Sequence, residues 1–93
     1  MNGMIIFTDY AKNKILKELS KLGITERTVT EIIRNPDELL YDSLTNRFVA
    51  VGWTRNTAVI CEKSNSDFIV ATVIYSSELK DMVNRRRRNG RWI

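Results

Sequence analysis

Three apolar runs in the second half of the chain limit what it can fold into more than any other feature. RFVAVGW at 47–53, TAVICEK at 57–63 and FIVATVIY at 68–75 are apolar at nearly every position, and only TRN and SNSD stand between them. Polar connectors that short read as turns, so neighbouring runs read as antiparallel strands. A strand wetted on one face alternates apolar with polar residues, whereas uninterrupted runs belong near the middle of a sheet with both faces covered. LLY at 39–41, ending at SLTN, adds a fourth strand candidate. Each Ile, Val or Phe fully buried in such strands contributes about 1.5–3 kcal/mol. The sheet is therefore the expected core.

Two helices are predicted ahead of it. The short apolar segment Met4–Phe7 leads to Thr8 and Asp9, which suit an N-cap and an acidic first turn for a helix beginning near Tyr10. Ala11, Ile15, Leu19 and Leu22 recur at helical spacing, with Lys14, Lys17, Lys21 and Glu18 on the opposite face and Gly23 at the C-cap. Those lysines read either as a solvated face or as a basic stripe. Thr25 then fits a second N-cap, with Ile24 able to staple onto Val29. Val29, Ile32 and Ile33 form the buried stripe of that short helix, and Asn35-Pro36 ends it. The expected fold class is α+β: two N-terminal helices packed on one side of a mainly antiparallel sheet of about four strands, followed by a basic C-terminal helix.

Ninety-three residues, 43% hydrophobic and 28% charged, fit a single domain over 1–93. No apolar run approaches the roughly 18–20 residues needed to cross a bilayer, and MNGMIIF lacks the basic start and length of a signal peptide. A cytoplasmic protein without membrane contact is expected. Cys61 is the lone cysteine, so no intrachain disulfide forms and a buried thiol is expected. The absence of histidine excludes imidazole zinc sites, Ser-His triads and histidine bases. The acids are scattered singly, so neither a metal site nor a cofactor is expected.

Charge is distributed unevenly. From Leu79 onward Lys80, Arg85, Arg86, Arg87, Arg88 and Arg91 face only Asp81, which places the net charge of +4 in the tail. Holding phosphates is the most economical use of such a cluster. Leu79, Met82 and Val83 give the segment a narrow apolar stripe, so a helix capped by Ser76 or Ser77 is expected to dock on the body. Four consecutive residues sweep about 300° around a helix, so Arg85 to Arg88 cannot all reach one ligand. Arg85 is expected to face Asp81 at (i, i+4) spacing. Asn89-Gly90 breaks the helix and leaves Arg91, Trp92 and Ile93 to fold back or fray, with Trp92 open to either packing or base stacking.

Tyr10-Ala11, Lys14, LGIT at 22–25, Val29, NPDEL at 35–39, the glycine-containing strand FVAVGW, an apolar strand ending VIYSS and an Arg-Trp end make up a larger pattern. It resembles the small RelE-like proteins related to the BrnT toxins, over nearly the whole chain. The resemblance implies a RelE/ParE-type fold with a curved sheet. It also implies metal-independent RNA cleavage, in which lysine, arginine and tyrosine drive the ribose 2'-hydroxyl onto the adjacent phosphate, with an antitoxin protein as partner. Relatives often carry histidine where this chain has Tyr10. Carried over by position, Lys14, Arg55 and Tyr75 become the candidate catalytic residues, and Arg47, Arg85, Arg88, Arg91 and Trp92 the candidate nucleic-acid contacts.

Two rival readings stand beside a toxin-type ribonuclease. One is a non-catalytic module that clamps the phosphate backbone of RNA or DNA with the same tail, and the other a domain whose tail binds an acidic protein. The residues have bland alternatives as well: Tyr75 as a half-buried strand end, Arg47 and Arg55 as solubilising residues at hairpin ends, Lys14 as a solvated helix residue.

Overall fold

The computed structural model describes residues 3–93. Its strands are β1 (Ile5–Phe7), β2 (Glu38–Asp42), β3 (Arg47–Gly52), β4 (Thr57–Ser64) and β5 (Asp67–Tyr75). Helix α1 (Asp9–Lys14) follows β1, α2 (Glu26–Arg34) precedes β2, and α3 (Leu79–Arg88) follows β5. The strands form one sheet in the order β1-β5-β4-β3-β2. From β2 to β5 it is the expected antiparallel meander, with Leu40 opposite Val49, Ala50 opposite Val59 and Val59 opposite Val73. Thr72 pairs with Ile60 and Val70 with Cys61, so Ala71 is an extra residue on β5 that bends the sheet there.

The class is the expected α+β, but the sheet has five strands rather than four. Met4–Phe7 is more than a lead-in: Ile5, Ile6 and Phe7 pair in parallel with Phe68, Ile69 and Val70. Three residues are too few to show a period of two, and their partner lies more than sixty residues away. Thr8 ends the strand and starts the helix, because its hydroxyl donates to the Val70 carbonyl at 3.0 Å and accepts from the Ala11 amide at 3.1 Å.

The first helix buries Ala11, Ile15 and Leu19 as its spacing predicts, but Leu22 is 51% exposed. A π turn at Ile15–Leu19 and a 3-10 turn at Ser20–Leu22 carry the chain on from α1, and the change of winding rotates Leu22 off the buried face. Gly23 then adopts φ 78°, and Ile24, whose amide donates to the Leu19 carbonyl, takes the buried place. Thr25 caps α2 in a reciprocal box with Thr28: each threonine's amide donates to the other's hydroxyl, at 3.2 and 3.3 Å. Replacing Thr25 by alanine should therefore lower stability by about 1 kcal/mol. In urea the midpoint should fall while the slope of the transition stays unchanged.

Two cores flank the sheet. On one face Ala11, Ile15, Ile24, Val29, Ile32 and Ile33 pack on Ala50, Val59, Cys61, Val70 and Val73. Gly52 permits this close approach, since a Cβ there would stand 2.9 Å from the Ile32 side chain. On the other face Leu79, Val83 and Trp92 cover Leu40, Val49, Val51, Ala58 and Ile60. Alternate residues of β3 and β4 thus enter different cores, which is why these strands show no polar face. Cys61 is buried, and that burial pushes its thiol up to about 11.

The start of α3 differs from expectation. Glu78, without a side-chain cap, occupies the N-cap position, and Ser76 instead closes a turn ahead of it by accepting the Glu78 amide on its hydroxyl and the Leu79 amide on its carbonyl. Among the described residues no helix is long and apolar enough to cross a membrane.

Candidate nucleic-acid interface

The tail begins at the C-terminal end of α3. Gly90, at φ 79°, turns the chain, and Arg91–Ile93 then run antiparallel along the outer edge of β2. The Ser43 amide donates to the Arg91 carbonyl at 2.8 Å, and the Ile93 amide to the Tyr41 carbonyl at 2.9 Å. This docking buries Trp92 to 1% exposure.

Asp42 organises the segment. Its carboxylate accepts the Leu44 and Thr45 amides at 3.0 and 3.3 Å, and takes longer contacts, all 3.4 Å, from Arg91 Nε and Nη2 and from Trp92 Nε1. Burial alone would raise this carboxyl. The Arg91 guanidinium and the two amides together outweigh it, and hold the group below its ordinary value. Above the indole, the Arg86 guanidinium carbon stands 4.9 Å from the ring centroid.

Two clefts adjoin this assembly. One, of about 210 Å³, is lined by Arg47, Arg86 and Arg91 together with Asp42, Trp92 and the β4 and β5 side chains Ile60, Thr72 and Ile74. The other, of about 380 Å³, is lined by Met82, Arg85, Arg86, Asn89 and Arg91. Arg86 and Arg91 belong to both, so they stand between the clefts.

The cations are not equivalent. Arg47 pairs with Glu62 at 2.9 Å, Arg91 with Asp42, and Arg87 with Glu38 of β2. Among the described residues Arg85, Arg86 and Arg88 have no carboxylate partner, and the expected pair of Arg85 with Asp81 does not form. Arg85 and Arg88 are exposed. Such unneutralised charge, with Arg85 and Arg86 at a concave surface and Arg88 one turn further on, suits an anion that brings its own negative charge.

The proposed catalytic residues lie elsewhere. Lys14 lines a shallow cleft on the first helix with Tyr10, Asn13 and Lys17. Arg55, in the 3-10 turn Trp53–Arg55, borders a groove with Thr28 and Ile32 of α2. Tyr75 follows Val73 by two residues and so lies on the same helix-covered face. It pairs with Thr57, whereas Arg47 is bonded to Glu62, five residues further along β4 and so about 17 Å away. Arg47 and the tail are also on the opposite face, which they share with Leu40, Val49 and Ile60. The predicted set is thus divided between two faces and two ends of the sheet. Tyr75 is near the tail in sequence, but α3 leads away from it across the other face.

Trp92 does not offer a ring to a base directly, because it is packed in the core under Arg86. Arg86 and Asp42 are the residues that the sequence reading missed. Arg86 looks like any member of a run of four, and Asp42 is a lone acid before a turn. Only the fold-back at Gly90 joins them. Among the described residues no group of three or more Cys, Asp or Glu gathers where it could hold a metal ion.

No family model, curated protein or solved structure matches the chain.

Proposed function

We propose that the chain is a RelE-like RNA-binding protein of the cytoplasm that grips the phosphate backbone with the arginines at the end of α3, without cutting it. The observation that carries this reading is the group Arg85, Arg86 and Arg88, unpaired by carboxylates among the described residues, with Arg85 and Arg86 lining the clefts and Arg88 exposed one turn beyond Arg85 on α3. Cutting by 2'-hydroxyl attack needs a group that takes the hydroxyl proton next to the arginines that bear the phosphate charge. The candidates for that task, Lys14 and Tyr75, lie on the other face of the sheet from the unpaired tail arginines, and only one candidate arginine, Arg55, is at the Tyr75 end. The arrangement therefore favours a grip over a toxin-type ribonuclease with an antitoxin partner.

Binding of a fluorescent RNA, followed by anisotropy against salt, tests this. Phosphate contacts at Arg85 and Arg88 give a slope of log affinity on log salt near −1.4 for a single strand, at about 0.7 per contact, and replacing both by glutamine should flatten it. A flat salt response in the unaltered protein would overturn the proposal. So would RNA cleavage in a chelator, with or without ribosomes, that Lys14→Ala or Tyr75→Phe abolishes.

A further inference from the structure

We propose that Arg86 is a stacking platform for one unpaired base, so that the ligand is single-stranded RNA rather than duplex; this rests on the phosphate-binding reading above. A guanidinium is planar and stacks on aromatic faces and on bases alike. Here one side of it is occupied by the Trp92 ring, 4.9 Å away, and its remaining surface opens on both clefts. The ring beneath is fixed, being 1% exposed and tied through Nε1 to Asp42. The contact restricts Arg86 before any ligand arrives, so part of the rotamer freedom whose loss normally opposes binding is already given up on folding.

The cleft beside it fits the same occupant. At about 210 Å³ it is smaller than the roughly 300 Å³ at which pockets for drug-sized ligands begin, so it admits a single flat group. Ile60 and Ile74 give its lining an apolar part, and Thr72 adds a hydroxyl. In a duplex the bases are already stacked and paired, so only phosphates would reach the arginines. A single strand turns one base onto Arg86, leaves a flanking phosphate to Arg85, which lines the larger cleft with it, and a more distant phosphate to Arg88.

The test uses the full chain and a single-stranded RNA of about ten nucleotides, within the range of sites for single-strand binders, alongside the same sequence as a duplex. The single strand should bind more tightly. The same oligomer made abasic at every position should bind about tenfold more weakly, in the range that base stacking contributes. Arg86→Lys keeps the charge but not the plane, so it should lose the same tenfold, retain the salt slope and become indifferent to removal of the bases. Equal binding of single strand and duplex, unchanged binding by Arg86→Lys, or equal binding of the fully abasic oligomer would each overturn the stacking role. If salt-steep binding persists in those cases, the phosphate grip stands. Absence of any salt-dependent RNA binding removes both. The abasic arm alters no residue of the protein, so it holds even if a variant fails to fold.

Discussion

Replacing Trp92 by alanine should destabilise the protein by about 3–5 kcal/mol, the range for removing a large aromatic side chain from a core. Trp92 is among the largest fully buried side chains, and it packs with Leu40, Val49, Ile60, Leu79 and Val83. Without it the α3 face loses its end wall and Arg86 loses its support. Against a total of about 5–15 kcal/mol such a loss consumes a large fraction of the stability. Urea denaturation of the variant measures it directly. Trp92→Phe separates packing from hydrogen bonding, since it keeps most of the apolar volume but removes the Nε1 donor to Asp42. A loss below about 1 kcal/mol for the alanine variant, the scale of a surface change, would mean that the tail does not dock as described.

Asp42→Ala should cost about 3 kcal/mol. It leaves the buried Trp92 Nε1 without its acceptor, which costs about 1–3 kcal/mol, and removes the bonds from the Leu44 and Thr45 amides, which sit in an exposed turn and contribute about 0.5–1.5 kcal/mol each. Arg91 offsets part of this, because its side chain is 36% exposed and turns to water, whereas the Asp42 side chain is 4% exposed. The pH dependence gives an independent check. The folded-state pKa of Asp42 is lowered relative to the unfolded chain, so its contribution is present above the ordinary carboxylate value and is lost as pH falls through the folded value. The stability gap between the unaltered protein and Asp42→Ala should be constant from neutrality to about pH 5, then narrow with acid as the carboxylate takes up its proton. Urea midpoints at a series of pH values would show this, and a gap that widens on acidification would contradict the sign of the shift.

Both effects arise from contacts that sequence reading could not reach, and the reason is range. Thr8, Gly23 and Thr25 were legible because a cap is a local device: the hydroxyl and the amides it satisfies lie within three residues. The strands of the meander were legible because their turns are short. Trp92 was not, since its burial depends on Asp42, fifty residues earlier, and on one positive φ at Gly90. The same limit explains the divided site. A strand's two faces alternate with each residue, so whether Tyr75 and the tail arginines share a face depends on which side α3 crosses, and local pattern does not encode that side. The charged tail was visible at once, yet the division of its arginines into paired and unpaired ones was not. Glu38 and Asp42, which decide it, sit on a strand that reads as ordinary edge sequence.

The parallel pairing of β1 with β5 also bears on the order of folding. From β2 to β5 the chain closes through connections of two to four residues, so these pairings form early and at little entropic cost. Joining β1 to β5 means closing a loop of about sixty residues, and seating Arg91–Ile93 beside β2 closes another of about fifty. These two late-arriving segments occupy opposite edges of the finished sheet. Until they arrive, the nascent meander has β5 and β2 as bare borders, the kind of surface through which two chains pair with each other. Weakening either segment should therefore leave the rate of folding almost unchanged, speed unfolding, and increase self-association during refolding.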